Sequence, residues 1–334
     1  MFWASHFWFC FFVGNSPAAY GWGYQGHEIV GSIADALLSD NAKNKVAQIL
    51  GFSLKTTGPW ADCVKSVIKQ ADGTFQYTPD PQHPEYQIPC VAFAKSADEV
   101  SRMEDYVGRN WATCDAKQHC ADTYHFADVP IERDGYSRSY VGTSDHDVVS
   151  AINAAITVLE GQPVPAPFNI KDQKEALLLL AHLVGDLHQP LHVGAIYLDE
   201  TGQIVDPPAG DAEQMSTQGG NLILEGHGNL HHDWDEIPAS LGVDASEALL
   251  ALARSQPPAP GPVGSWASSW ARDTALVSRA AFSGSTFTPA PQKGHWKACF
   301  ADYAEYHDLH NAIQIAQLAK AGAHLAEVLN ALWP

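Results

Sequence analysis

The stretch from Asp172 to His188 tolerates few environments. Apolar residues run nearly all round its helical projection, through Leu177, Leu178, Leu179, Leu180, Leu183 and Val184, as in a helix buried on every side. Yet it also carries His182 and Asp186, four apart and therefore on one face. A buried carboxylate needs a charge partner, so a chain with this segment must fold its core around a polar centre. Gln189-Pro190 ends the helix, and His192 follows within reach. Downstream, His231 and Asp235 repeat the four-residue spacing. One helical His-x-x-x-Asp is more often a hydrogen-bonded pair than a metal site. Two such pairs plus His192 reverse that preference, because His and carboxylate are the ligands zinc takes when no thiolate is used. Helical phase turns His188, His232 and Asp233 away from their neighbours' face, which leaves them outside the set.

The rest of the chain reads as helix and loop. Besides 172–188, the segments His27 to Leu38, Asn41 to Leu50, Asp145 to Leu159 and Ala301 to Leu332 carry helical spacing. Ser144-x-x-Asp147 resembles a capping box before the third of these. In the last, Ile313, Ile315, Leu318, Leu325, Val328 and Leu332 form the apolar repeat. Leu222-Ile223-Leu224 is a short strand candidate. Gly and Pro mark loops at 73–89, 199–219, 256–264 and 283–294. None separates two self-sufficient patterns, so the reading is one all-α domain from Trp22 onward.

The first 21 residues hold no Lys, Arg, Asp or Glu, and Phe7 to Val13 is an apolar run too short to span a bilayer. Ala19-Tyr20-Gly21 fits a small-x-small cleavage site. Residues 1–21 are therefore expected to be a signal peptide, with the mature chain secreted or periplasmic. Cleavage leaves Cys63, Cys90, Cys114, Cys120 and Cys299. Export would pair most of them and leave one over. There is no Cys-x-x-Cys, so a thiolate zinc site is not expected. The net charge of -19 is opposite to that of a protein that grips nucleic acid by charge alone. Phosphate chemistry in such a chain would need bound cations.

Upstream of the two His/Asp pairs stand Trp22-Gly23-Tyr24-Gln25-Gly26-His27, Trp60-Ala61-Asp62 and His125-Phe126-Ala127-Asp128. Between and around the pairs lie Gly219-Gly220-Asn221 and Asn229-Leu230-His231-His232-Asp233-Trp234-Asp235. In this order the blocks resemble the type I nucleases, the trinuclear-zinc, single-strand-preferring nucleases of fungi, plants and bacteria. The resemblance runs from Trp22 to Asp235 and extends to the C-terminal helix. It implies a single compact multi-helix domain around a trinuclear zinc cleft, with long loops and at most a short β-hairpin.

Residue by residue, the resemblance implies three Zn2+. Asp62, His125, His182 and Asp186 would hold the first. His192, His231 and Asp235 would hold the second. His27, a bridging Asp186, and the amine and carbonyl of Trp22 would hold the third. Asp128 would act on the attacking water, Phe126 would stack a base, and Gly219, Gly220 and Asn221 would meet the base edge. Lys65 would touch phosphate. The implied activity is hydrolysis of RNA and single-stranded DNA to 5'-mononucleotides, together with 3'-nucleotidase activity. No stable protein partner is implied, and no membrane after cleavage. The chain departs from the family pattern at Val129-Pro130-Ile131, at Leu222, in the long acidic 199–219 insertion, and at His324, where arginine is frequent. The rival enzyme is a zinc-dependent phospholipase C. The non-enzymatic rival is a zinc-binding protein, which would have no need of Asp128.

Overall fold

The computed structural model describes residues 22–114, 119–226 and 228–334. The expected signal segment 1–21 lies outside them. Several helices form where apolar spacing meets a side-chain cap. α1 (Tyr24–Leu37) leads to α2 (Asp40–Leu50), which Ser39 caps by accepting from the Ala42 N–H. α3 (Leu54–Thr57), α4 (Trp60–Cys63) and α5 (Val91–Ala94) are single turns. α6 (Ala97–Asn110) starts at a Ser96 cap. α7 (Val148–Leu159), α8 (Gln173–His188) and α9 (Pro190–Val193) form the middle of the chain. α10 (Ala212–Met215), α11 (Leu230–Asp235), α12 (Glu247–Arg254), α13 (Trp266–Val277) and α14 (Tyr303–Leu332) follow.

The cap before α7 is displaced from its expected place. Asp147, not Ser144, is the N-cap: it accepts from the Ser150 N–H, and Ser144 donates its own N–H to the same carboxylate. Asp172 caps α8 through the Glu175 N–H. Every residue of α8 from Glu175 to His188 is buried, and the helix packs against α1, α7, α13 and α14. Each leucine buried there contributes about 1.5–3 kcal/mol, which commits α8 to the core and carries His182 and Asp186 in with it.

α6, α12 and α13 were not among the anticipated helices. α6 is polar enough to look like a surface segment, but its charges hold the start of α8. Arg102 meets Asp172 at 2.9 Å, and Arg109 meets the fully buried Glu175 at 2.6 Å.

The fold is mainly helical, as expected, but its strands exceed one hairpin. β1 (Val67–Lys69) pairs with β2 (Phe75–Tyr77), and β3 (Val129–Pro130) runs parallel to β4 (Gly194–Ala195). β5 (Tyr197–Leu198) pairs with β6 (Ile204–Val205). A four-stranded sheet takes the order β8-β7-β10-β9, from β7 (Ile223–Glu225), β8 (Gly228–Asn229), β9 (Ser285–Pro289) and β10 (Trp296–Phe300). The β3–β4 pairing matters most for function, because it sets the chain after Asp128 beside the chain after His192. Disulfides join Cys63 to Cys90 and Cys114 to Cys120. Among the described residues no cysteine is free. No described helix is long and apolar enough to cross a membrane.

Candidate metal centre

Six elements bring eight side chains together. α1 supplies His27, α4 Asp62, the turn 120–125 His125, α8 His182 and Asp186, α9 His192, and α11 His231 and Asp235. Their ligand atoms form three groups, each with all atoms within 4.8 Å of one another. The groups are His27, His182 and Asp186; Asp62, His125 and His182; and His192, His231 and Asp235. The backbone decides how several of the imidazoles face. His182 Nδ1 donates to Gly58 O at 2.7 Å, His192 Nδ1 to His125 O at 2.8 Å, and His231 Nδ1 to Gly219 O at 2.8 Å. Each bond places the ring proton on Nδ1 and leaves Nε2 as a bare acceptor.

In the third group this creates a conflict that a cation resolves. Nε2 of His192 and Nε2 of His231 stand 3.1 Å apart, lone pair toward lone pair. Asp235 Oδ2 lies 3.6 Å from His231 Nε2, buried and without a hydrogen-bond partner. Burial, then His192, pushes the His231 pKa down to about 3, and burial also lowers His192. Burial pushes Asp235 well above the carboxylate range, against a partial offset from Gln189. Burial thus disfavours the charged form of each of the three groups, and the set has no positive charge of its own. Two ligand atoms about 2.1 Å from a tetrahedral ion lie about 3.4 Å apart, close to the spacings seen. The donor set therefore fits a zinc-type ion.

The α8 side is tied together by Asp186. Its Oδ2 accepts from His125 Nδ1 at 2.9 Å and lies 3.1 Å from His182 Nε2; its Oδ1 lies 3.3 Å from His27 Nε2. Burial alone would raise the Asp186 pKa, but the surrounding imidazoles, His182 first, hold it well below the usual range. Both ring nitrogens of His27 are buried without a hydrogen-bond partner, and the ring stacks on His182 at 3.7 Å. Asp62 Oδ1 accepts from Lys65 Nζ at 2.6 Å. Burial would raise the Asp62 pKa, and Lys65 with the three nearby histidines lowers it to about 2 instead.

Trp22 is fully buried between α8 and α11. Its indole Nε1 donates to Gly185 O at 2.9 Å, and the next N–H, of Gly23, donates to Asp235 O at 2.9 Å. Asp128 sits beside the His192 group. Burial raises its pKa to about 7. Gly219 has a φ of 58°, and a Cβ there would stand 2.5 Å from Leu191 O and 3.4 Å from Asp128 Oδ1. Only glycine lets this turn approach both His231 and Asp128 so closely. Gly220 and Asn221 continue the turn, with Asn221 Nδ2 donating to Gln218 O at 3.0 Å. Phe126, half-buried, follows His125 directly.

His188, His232 and Asp233 point elsewhere, as their helical phase required. His188 meets His324, His232 meets Glu236, and Asp233 faces His310. Three supporting residues were not foreseen. Gln189 Nε2 donates to Asp235 Oδ1 at 2.6 Å. Tyr197 OH donates to Asp128 O at 2.7 Å. Gly142, with φ 84°, packs where a Cβ would overlap Asp128 O, and its own carbonyl accepts from the Asp128 N–H. The segment around Gly142 thus positions the Asp128 backbone. Only the φ-permissive glycine hinted at this in the sequence.

A family model described as S1/P1 Nuclease matches residues 22–334. The chain belongs to the S1/P1 nuclease family. It is 26% identical to Endonuclease 2 of Arabidopsis thaliana over 230 residues, which covers 66% of this chain and 57% of that protein. It is 26% identical to Nuclease S1 of Aspergillus oryzae over 223 residues, 65% of this chain and 54% of that protein. With Endonuclease 3 of Arabidopsis thaliana the identity is 32% over 121 residues, 34% of each chain. The chain spans little more than half the length of the first two relatives. In this S1/P1 family member a cavity of about 390 Å³ opens against the centre, with Asp62 and Asp235 among its lining residues and Tyr24, Ser66, Glu85 and Glu236 around them. Phe126, Gly219, Gly220 and Asn221 do not line it.

Proposed function

We propose that this chain is an exported zinc-dependent phosphodiesterase that hydrolyses RNA and single-stranded DNA to 5'-mononucleotides and also acts as a 3'-nucleotidase. The observation that carries the reading is the pair of bare Nε2 atoms of His192 and His231, 3.1 Å apart beside an unpartnered Asp235 oxygen. Three Zn2+ would be held as the family resemblance implies: by Asp62, His125, His182 and Asp186; by His192, His231 and Asp235; and by His27, Asp186 and the free N-terminus of Trp22. When bound, the ions supply positive charge to a phosphate and acidify water.

The remaining work falls to the chain itself. Asp128, with a pKa raised by burial to about 7, is poised to accept a proton from the attacking water near neutrality. Tyr197 and Gly142 fix its backbone, and Gly219 keeps space open between it and His231. Phe126 stacks an unpaired base, and Gly219, Gly220 and Asn221 meet the base edge. Recognition by stacking suits a chain of net charge -19. Lys65 pairs with Asp62 in the protein alone and turns to phosphate once an ion takes that carboxylate. Residues 1–21 are a signal peptide and 22–334 one nuclease domain, secreted or periplasmic. The two disulfides suit an oxidising compartment.

Asp128→Asn tests the assignment. Turnover on single-stranded DNA should fall about 100-fold or more, while zinc content stays at three per chain. Zinc lost in proportion to rate would make Asp128 a ligand or a support. Cleavage of phosphatidylcholine in preference to single-stranded DNA or RNA would replace the nuclease reading with the phospholipase one.

A further inference from the structure

The backbone of the strip 126–128 is held at four points. Phe126 O accepts from the Val148 N–H at 3.3 Å, and the Ala127 N–H donates to His192 O at 2.7 Å. The Asp128 N–H donates to Gly142 O at 3.1 Å, and Asp128 O accepts from Tyr197 OH at 2.7 Å. Two of these anchors belong to helices: Val148 opens α7, whose buried face packs on α8, and His192 lies in α9. Gly142 differs, because it sits in the loop 136–147, which contains no helix or strand. A buried backbone N–H needs its partner kept in place, so something must hold this loop against Asp128.

One side chain does so. Asp147 is 2% exposed and divides its two oxygens between helix and loop. Oδ1 accepts from the Ser150 N–H at 2.9 Å, which caps α7. Oδ2 accepts from the Ser144 N–H at 3.2 Å and from the Tyr136 hydroxyl at 2.8 Å. A helix N-cap needs only one oxygen, so Oδ2 is surplus to the cap and serves the loop alone. At the far end of the loop the fit has no slack. Gly142 has a φ of 84°, and a Cβ there would stand 1.9 Å from Asp128 O.

We propose that Asp147, with Tyr136, is a positioning residue for Asp128: its Oδ2 holds the loop 136–147 so that Gly142 O meets the Asp128 N–H and fixes where the Asp128 carboxyl stands. This rests on the role given to Asp128 above. Phe126 is tied to α7 directly, through the Val148 N–H. The loop therefore acts on Asp128 and leaves the stacking residue in place, so loosening it changes turnover and not substrate binding.

The test is Asp147→Ser in zinc-loaded mature protein. Serine keeps an oxygen for the α7 cap and removes the one that holds the loop. Ser144 and Tyr136 are half-buried, so water takes up the bonds they lose. On a single-stranded oligonucleotide kcat should fall at least about tenfold, since a misplacement of about 1 Å can cost about 100-fold. KM, zinc content and melting temperature should stay near wild type. In an Asp128→Asn background the same substitution should cost less than about twofold more, because the group it positions is already gone. Wild-type kcat in Asp147→Ser, or an undiminished loss in the Asp128→Asn background, overturns the proposal and leaves Asp128 its role. A loss of rate matched by lost zinc or by a raised KM makes Asp147 a structural support and overturns it too. Full activity of Asp128→Asn alone would instead overturn the reading beneath it, and the proposal with it. Should Asp147→Ser fail to fold, Tyr136→Phe removes one bond to the loop and leaves the cap untouched. It should lower kcat about threefold or more, with the same loss of effect in the Asp128→Asn background. Unchanged kcat in Tyr136→Phe overturns the proposal equally.

Discussion

Replacing Gln189 by alanine removes a donor from Asp235 without touching any proposed ligand. The Gln189 Nε2–Asp235 Oδ1 bond is 2.6 Å and buried. A hydrogen bond to a charged group contributes about 1.5–3 kcal/mol, and each 1.4 kcal/mol or so is tenfold in affinity. Zinc affinity at His192, His231 and Asp235 should therefore fall about 10- to 100-fold, the range usual for the outer partner of a metal ligand. The sign with pH follows from the same bond. Burial raises the Asp235 pKa and Gln189 is the main offset. Without Gln189 the carboxylate keeps its proton to higher pH, and protons compete with the ion more strongly. The affinity loss should be larger at pH 6 than at pH 8. Gln189 also accepts from the Leu191 N–H at the start of α9, and losing that cap costs about 1 kcal/mol, a fall of about 2–4 °C in melting temperature. Competition against a chromogenic chelator at both pH values measures the affinity, and activity against free zinc measures the consequence. Turnover should recover at excess zinc. Unchanged affinity, or an activity loss that excess zinc cannot restore, would refute the argument.

Asp186→Asn should reduce turnover more than His231→Ala, because Asp186 touches His27, His125 and His182 while His231 serves one group; similar kinetics for the two variants would remove its bridging role. A chain that keeps residues 1–21, or an uncleaved tag before Trp22, should lose about one zinc and most activity, since an amide nitrogen is a poor ligand at neutral pH. Processing to a free Trp22 should restore both, as read by metal analysis and cleavage of single-stranded DNA. Burial pushes His188 to about 3 and His324 to about 2, both below the ordinary value of 6.5. Their contribution to stability is full above about pH 6.5 and is lost as pH falls toward 3. In chelator, His324→Phe should flatten this acid loss by up to about 1.4 kcal/mol per pH unit, read from urea midpoints; a slope unchanged from wild type would mean that His324 does not titrate on unfolding.

The sequence by itself determined what spacing within one segment can determine. His182 and Asp186, or His231 and Asp235, share a face because helical periodicity is local, and that same phase put His188, His232 and Asp233 outside the centre. The apolar ring around 177–184 required burial, and α8 is buried from Glu175 to its end. Tertiary structure decided everything that depends on which backbone a side chain meets. α14 shows the difference. Its apolar repeat includes Ile313 and Ile315, yet both are half-buried while Gln314 and Gln317 between and beyond them are buried. The first half of α14 packs on aromatic side chains through Tyr306 and His310 and, beyond them, on the carbonyl ends of other helices. Gln314 Nε2 donates to Trp234 O and Glu236 O at the end of α11, and Gln317 Nε2 to His188 O at the end of α8. Those carbonyls have no partner within their own helices, so the face that covers them must be polar. The same reason hides Gln189, Tyr197 and the Gly58, His125 and Gly219 carbonyls from any linear reading. Each acts on a residue far away in the chain, and only the packing of α8 against its neighbours brings them together.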